Sequence, residues 1–180
     1  GTRQALATNA RTGAWCRYTG WDVRCSAVAN DQLYFGTNDG LVMTAESGGN
    51  DNGVAYTGVY VPKFSQCQYP GVKVANHGTV TIRSNSGKNC LVKAYSDYQV
   101  TDETPPSALT STDASVWGTG VWGTFIWGGS NIKEVFTIRS TVAAEGLALA
   151  PAVYVTSNQV GRPFFEILAT RLRFENATSL

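Results

Sequence analysis

Residues 13–21, Gly-Ala-Trp-Cys-Arg-Tyr-Thr-Gly-Trp, and residues 33–40, Leu-Tyr-Phe-Gly-Thr-Asn-Asp-Gly, decide how the first part of this chain folds. Both runs combine aromatic residues and threonine with glycine, asparagine or aspartate, the composition of short strands joined by tight turns. The sequence therefore predicts β-hairpins stacked like one propeller blade. Blades repeat about every 40 to 50 residues, and several close a ring. Only one is visible here, so we expect a part of something larger, or a subunit completed by its neighbours.

Four short strands are predicted in this region. They cover residues 14–19, 23–29, 32–37 and 41–46. Asn38-Asp39-Gly40 is the clearest hairpin turn, because Asp-Gly tolerates the positive φ that a two-residue primed turn requires. Asn30-Asp31 is a weaker turn signal.

A polar loop at residues 47–53, Ser-Gly-Gly-Asn-Asp-Asn-Gly, marks a change of pattern. It resembles a calcium-binding loop only superficially, because the required order of oxygen ligands and the later glutamate are absent. We therefore interpret it as a turn and place a domain boundary after it. The predicted domains are residues 1–53, with the blade-like hairpins, and residues 54–180.

The second domain shows longer alternating strands. Apolar residues share one parity of the alternation in three regions, which are Val72, Val74, Val80 and Ile82, then Ile132, Phe136 and Ile138, then Leu147, Leu149, Val153 and Val155. Leu168, Leu172 and Phe174 continue this pattern in the last strand. Such alternation indicates half-buried antiparallel strands. The predicted fold class is all-β, a partial β-propeller blade followed by an antiparallel β-sandwich. Only residues 141–150 have a helix-tolerant composition.

Tryptophans supply the candidate site residues. Trp117, Trp122 and Trp127 recur at a five-residue step and are each followed by glycine. A regular strand would send successive members to opposite faces, whereas a glycine bulge after each would return them to one side. We predict that these three, with Trp15 and Trp21, are packing or interface anchors. The alternative is a row of exposed tryptophans that stack on sugar rings.

Charge is sparse and balanced, with 14 Lys and Arg against 13 Asp and Glu. This excludes a whole-protein electrostatic attraction to nucleic acid or anionic membrane. The arginines at positions 3, 11, 17 and 24 form a local basic run, which we interpret as a solvated face. No stretch approaches the ~18 apolar residues of a membrane span, so we expect no membrane-spanning contact.

The residues for common catalytic chemistry are scarce. His77 is the single histidine, and no Gly-x-Ser-x-Gly sequence surrounds any serine. A triad hydrolase and a metal centre are therefore not expected, nor is any cofactor. Glu134, Glu145 and Glu166 are the candidates for a glycosidase carboxylate pair, and Glu134 and Glu166 share the parity of apolar neighbours. That parity fits either a buried ion pair with an arginine or strand ends in solvent. We predict that the chain is not an enzyme.

The four cysteines, Cys16, Cys25, Cys67 and Cys90, match no zinc or haem spacing. No secretory signal opens the chain, and 180 residues bury enough surface to fold without disulfides. We predict reduced thiols, with a Cys16–Cys25 cross-strand bridge as the alternative. Because residue 1 is glycine and the one methionine is Met43, we also expect a fragment or a processed product.

Residues 9–22, Asn-Ala-Arg-Thr-Gly-Ala-Trp-Cys-Arg-Tyr-Thr-Gly-Trp-Asp, followed by Leu-Tyr-Phe-Gly at 33–36 and Asp-Asn-Gly at 51–53, resemble the C-terminal part of bacteriophage tail proteins. The group is the nozzle, or tail tubular protein B-like, family of short-tailed phages, with packaged-DNA stabilisation proteins as looser relatives. The Trp-Gly run at 117–129 and the terminal Phe174-Glu175 strand are also similar. The resemblance covers residues 5–55 well and 115–176 loosely.

The resemblance implies a structural virion protein of the phage tail, made in the host cytoplasm and without an active site. It implies a ring of identical copies, six-fold in that family, that forms the distal DNA exit conduit. Tail adaptor or portal-proximal proteins and tail fibres would be its neighbours, and genomic DNA would pass through the lumen without sequence specificity. The competing hypotheses are a carbohydrate- or receptor-binding β-sandwich that uses Trp117, Trp122 and Trp127, and a fragment of a propeller enzyme.

Overall fold

The computed structural model describes residues 4–101, 103–109, 133–159, 161 and 163–177. Every regular element in these ranges is a β-strand, which confirms the all-β prediction. The strands are β1 Gln4–Thr8, β2 Trp15–Thr19, β3 Cys25–Ala29, β4 Gln32–Gly36, β5 Val42–Thr44, β6 Tyr56–Tyr60, β7 Lys73–Ser84, β8 Leu91–Ser96, β9 Glu134–Gly146, β10 Leu149–Ser157 and β11 Phe165–Asn176. Contacts divide the chain into two compact units, Gly1–Ser47 and Gly48–Leu180.

The N-terminal unit contains two small antiparallel sheets, β1-β2 and β3-β4-β5. In the first sheet Gln4 pairs with Thr19 and Thr8 with Trp15. The connecting loop is fixed by Asn9, whose Oδ1 accepts hydrogen bonds from the backbone N–H groups of Arg11 and Thr12 at 2.9 and 3.2 Å. An asparagine side chain that bonds the backbone two residues on is a common way of closing such a turn.

Both predicted hairpin turns are present, but Asn38-Asp39-Gly40 is not the two-residue primed turn that was expected. Asn30 and Asp31 both have positive φ, 50° and 57°, so the weaker sequence signal forms the two-residue primed turn between β3 and β4. In Asn38-Asp39-Gly40 only Gly40 has positive φ, at 78°, and its N–H bonds the carbonyl of Thr37 at 3.3 Å. This is a three-residue hairpin with a left-handed glycine at its end.

The predicted polar turn at residues 47–53 contains a second tight hairpin. Asp51 and Val54 exchange two backbone hydrogen bonds of 2.8 and 2.9 Å around Asn52 and Gly53, which both have positive φ. The Asn52 and Gly53 pair therefore provides the left-handed geometry of a primed turn.

The C-terminal unit contains two three-stranded antiparallel sheets, ordered β6-β10-β8 and β11-β7-β9. Two apolar clusters each combine residues of both sheets. The first contains Ala75, Ala94, Val142 and Leu149, and the second contains Val80, Ile82, Val92 and Val153. A third cluster of Tyr95, Ala152 and Tyr154 lies on the opposite face of β8 and β10, with Val61 and Phe64 packed against it. The β6-β10-β8 sheet is thus packed on both faces.

The side-chain alternation predicted for β7 is wrong at its start. Val80 and Ile82 are fully buried, but Val74 is 39% exposed and Lys73 is completely buried. The pairing of β7 shifts register at Asn76 against both β9 and β11. A bulge of this kind exchanges the inward and outward sides of the strand. Lys73 is accommodated because its Nζ donates to the carbonyls of Gly71 and Leu147 at 2.9 and 2.6 Å.

Candidate interaction surfaces

An aromatic stack joins the two sheets of the N-terminal unit. Trp21 lies between Tyr18 of β2 and Phe35 of β4, with ring centroids 4.3 and 5.0 Å away. The Tyr18 hydroxyl donates to Glu46 Oε1 at 2.7 Å. This hydrogen bond, partial burial and the charge of Glu46 together raise the pKa of Tyr18. Trp21 therefore packs inside its own unit.

Trp15 lies on the surface of the same unit and is 70% exposed. Val28 of β3 and Val42 of β5 are exposed to a similar degree, 71% and 74%, and every residue of β3 is exposed. Only Phe35 and Ala45 among the described apolar residues of this unit are buried. The N-terminal unit therefore leaves several large apolar side chains in solvent and buries few.

The Trp-Gly repeat lies outside the described residues. Trp117, Trp122 and Trp127 all fall within residues 110–132. Their predicted role as anchors, or as a sugar-stacking row, therefore stays a prediction.

An apolar cavity of about 260 Å³ opens between the outer strands β6 and β11 of the C-terminal unit. Its wall includes Tyr56, Gly58, Tyr60, Val155, Phe165 and Ile167. Binding sites for small molecules usually add several convergent polar groups to such a wall. This lining is almost wholly apolar, so the cavity suits an apolar side chain better than a sugar. The sequence signal that we missed is the uncharged run Tyr56 to Tyr60 with glycine at its centre.

A second cavity of about 660 Å³, with polar and apolar residues in its wall, lies beside β9. Ser86, Lys88, Asn89 and Arg139 contribute to its wall. Beneath it, Ser86 Oγ hydrogen-bonds Asn85 Oδ1 at 2.7 Å and Gln159 Oε1 at 3.1 Å. This buried network fixes the turn between β7 and β8. The wall contains two basic residues, Lys88 and Arg139, and no carboxylate. It therefore presents positive charge without a paired acidic side chain.

Glu134 and Glu166, two of the carboxylates considered for catalysis, lie at the same end of the β11-β7-β9 sheet, but they pair with adjacent residues of β7 and so project from opposite faces. Glu166 of β11 pairs with Arg83 of β7 at 3.1 Å, and both side chains are about half exposed. Glu134 begins β9 opposite Ser84, whereas Glu145 lies near the other end of β9 opposite Val74. His77 is exposed on β7 between Arg173 and Thr141. Among the described residues no group of three or more His, Cys, Asp or Glu is placed to hold a metal.

All four cysteines are free thiols in the structure. Cys16 and Cys25 are both exposed and belong to different sheets, β2 and β3, so the alternative bridge is not formed. Burial raises the pKa of Cys90 to about 11. This thiol is therefore held in its unreactive protonated form.

Comparisons with protein-family models, with curated proteins and with solved structures found no significant match. Within the described residues, no helix is long and apolar enough to cross a membrane.

Proposed function

We propose that this chain is a structural subunit of a bacteriophage virion and belongs to the nozzle ring at the distal end of a short tail. The observation that supports this best is the surface of the N-terminal unit, where Trp15, Val28 and Val42 project into solvent from strands with little core of their own. Such strands fit a subunit whose surfaces are covered on assembly. The sequence resemblance to phage tail nozzles then indicates which kind of assembly.

In this proposal the N-terminal hairpins are part of a propeller blade and the C-terminal unit is a β-sandwich. The sandwich is supported by the two clusters to which both three-stranded sheets contribute, as Val80 of β7 and Val153 of β10 illustrate. The blade is supported by the consecutive β3-β4-β5 meander with short turns.

The proposed partners are other copies of this chain, in a six-fold ring, together with tail adaptor proteins and tail fibres. Genomic DNA passes through the ring without sequence-specific contacts. The subunit needs no cofactor and catalyses no reaction.

The test is to locate the chain in purified phage particles. Peptide mass spectrometry of the tail fraction should detect it, and electron microscopy with a labelled antibody should place it at the distal tip. Its absence from the particles would contradict the proposal. A glycan array provides the opposing outcome: a sugar affinity that Trp122→Ala abolishes without loss of stability would favour the carbohydrate-binding alternative.

A further inference from the structure

The strand β6, Tyr56–Tyr60, forms one edge of the β6-β10-β8 sheet. It pairs with β10 on one side, and within the described ranges no strand pairs with it on the other. All of its residues except the half-buried Thr57 are exposed. An open strand edge offers backbone donors and acceptors to another strand, and natural proteins usually protect such edges with charge, proline or a bulge.

The edge of β6 has none of these protections within the strand. Residues 54–61, Val-Ala-Tyr-Thr-Gly-Val-Tyr-Val, contain no charged side chain and no proline. The other outermost strands described in this unit do carry charge. They hold Lys93 in β8, Arg139 and Glu145 in β9, and Arg171, Arg173 and Glu175 in β11. The absence of charge is therefore particular to β6 and marks it as an edge that pairs.

The sequence of β6 also indicates its occupant. The two residues that lie two positions from Gly58, on either side, are both tyrosine, Tyr56 and Tyr60. The two residues next to Gly58 are Thr57 and Val59. An antiparallel contact about a two-fold axis sets one segment against itself, so that residue i meets j and j meets i. With Gly58 on the axis, the two glycines face each other at the centre, and no charged side chain lies opposite a charged side chain of the second copy. Each tyrosine lies opposite the other tyrosine of the second copy, a favourable cross-strand pair.

We propose that two copies of this chain associate through β6, paired antiparallel to β6 of the second copy with Gly58 on the two-fold axis. The two sheets then continue into one sheet of six strands. The apolar cavity beside β6 fits this arrangement, because Tyr56 and Tyr60 line it and a second strand alongside would cover its open side. This two-fold contact goes beyond the proposed nozzle, whose ring requires head-to-tail contacts of a different kind.

Sedimentation velocity on the intact chain tests the association. The wild type should form a dimer whose population rises with concentration. Val59→Lys places a charge on the exposed edge and should raise the dimer Kd about tenfold or more. Val135→Lys is the matched control, because Val135 on β9 is 56% exposed against 53% for Val59. A wild type that stays monomeric, or a dimer that responds equally to both variants, would overturn the proposal.

Oxidative cross-linking tests the register. Directly opposed Cα atoms in an antiparallel pair lie about 4.5 to 5.5 Å apart, within disulfide range. Gly58→Cys should therefore give a disulfide-linked dimer on a non-reducing gel, in excess of the wild-type background from the four native cysteines. Val59→Cys should not, because its mate lies diagonally opposite, at about 8 Å by strand geometry and beyond disulfide range. Equal cross-linking of both variants would refute the register. Ring-shaped particles that are unchanged by Val59→Lys would refute this contact and leave the proposed function standing.

Discussion

Trp15 and Trp21 belong to one short run of sequence, yet the structure gives them different surroundings. Trp21 is stacked between Tyr18 and Phe35, whereas Trp15 projects from β2 into solvent. Stacked aromatic pairs contribute about 0.5 to 1.5 kcal/mol each beyond the area that they bury. The stack is therefore a main source of stability in a unit with few buried residues.

Replacement of Trp21 should destabilise the N-terminal unit. Trp21→Ala removes both stacking contacts, so we expect the free energy of unfolding to fall by about 1 to 3 kcal/mol. Thermal denaturation followed by near-ultraviolet circular dichroism measures this. Trp15→Ala is the matched control and should leave the stability of the isolated chain nearly unchanged. Equal losses in the two variants would contradict a structural role specific to Trp21.

Tyr18 should make this unit sensitive to alkaline pH. Its folded-state pKa is raised, chiefly by the hydrogen bond to Glu46, above the value of about 10 for an unfolded tyrosine. Above that pH the unfolded state loses the proton first, so the contribution of Tyr18 to stability is present below pH 10 and is lost as the pH rises. Denaturant titrations from pH 8 to 11 should show a shallower decline for Tyr18→Phe than for the wild type. Parallel declines would show that Tyr18 is not the group responsible.

The four thiols should differ in reactivity. Cys16 and Cys25 are exposed, while burial raises the pKa of Cys90 to about 11. Because the thiolate is the reactive form, Cys90 should react most slowly with a thiol reagent at pH 8. In denaturant all four should titrate at one rate. Recovery of only two thiols would reveal a disulfide and contradict the reduced state.

At the scale of the elements, turns and bulges decide which face each strand presents. The pairs Asn30-Asp31 and Asn52-Gly53 form primed turns, whereas the stronger sequence signal at Asp39-Gly40 forms a longer loop. The bulge at Asn76 then divides β7 into two parts with opposite alternation. The position of β7 is therefore predictable from the sequence, whereas the side chains that it buries before the bulge are not.

Gly78 follows this bulge and lies close to side chains of both sheets. A Cβ atom there would stand 2.9 Å from Val92 Cγ1 and 3.1 Å from Val142 Cγ1. Gly78→Ala should therefore destabilise the C-terminal unit by about 1 to 3 kcal/mol through overpacking. Gly161→Ala is the control, since no atom lies within 4 Å of its added Cβ. Urea denaturation measures both, and equal stability of the two variants would contradict the close approach.

At the scale of the whole molecule, the buried residues are distributed unevenly. All three apolar clusters belong to the unit Gly48–Leu180. The unit Gly1–Ser47 has five short strands and two buried apolar side chains among its described residues. Small units with so little core are rarely stable alone.

The two units should therefore behave differently when separated. A fragment of residues 48–180 should keep strand-type circular dichroism and a cooperative thermal transition, because it contains all three of the described apolar clusters. A peptide of residues 1–47 should be unfolded by the same measurement. A cooperative transition in the short peptide would show that its aromatic stack suffices, and a helical spectrum from either piece would contradict the fold.

The all-β class and the approximate positions of most strands could be predicted from the sequence, because alternation and turn residues are local signals. The sequence also identified the apolar inner face of β7 at Val80 and Ile82. Residues 141–150 have helix-tolerant composition and yet lie mostly in β9 and β10, since pairing across the sheets outweighs a weak local preference. Only the tertiary structure shows the burial of Lys73, the projection of Glu134 and Glu166 from opposite faces of one sheet, and the different surroundings of Trp15 and Trp21. The physical reason is that each depends on register, on a bulge or on a distant neighbour, which the local sequence does not encode.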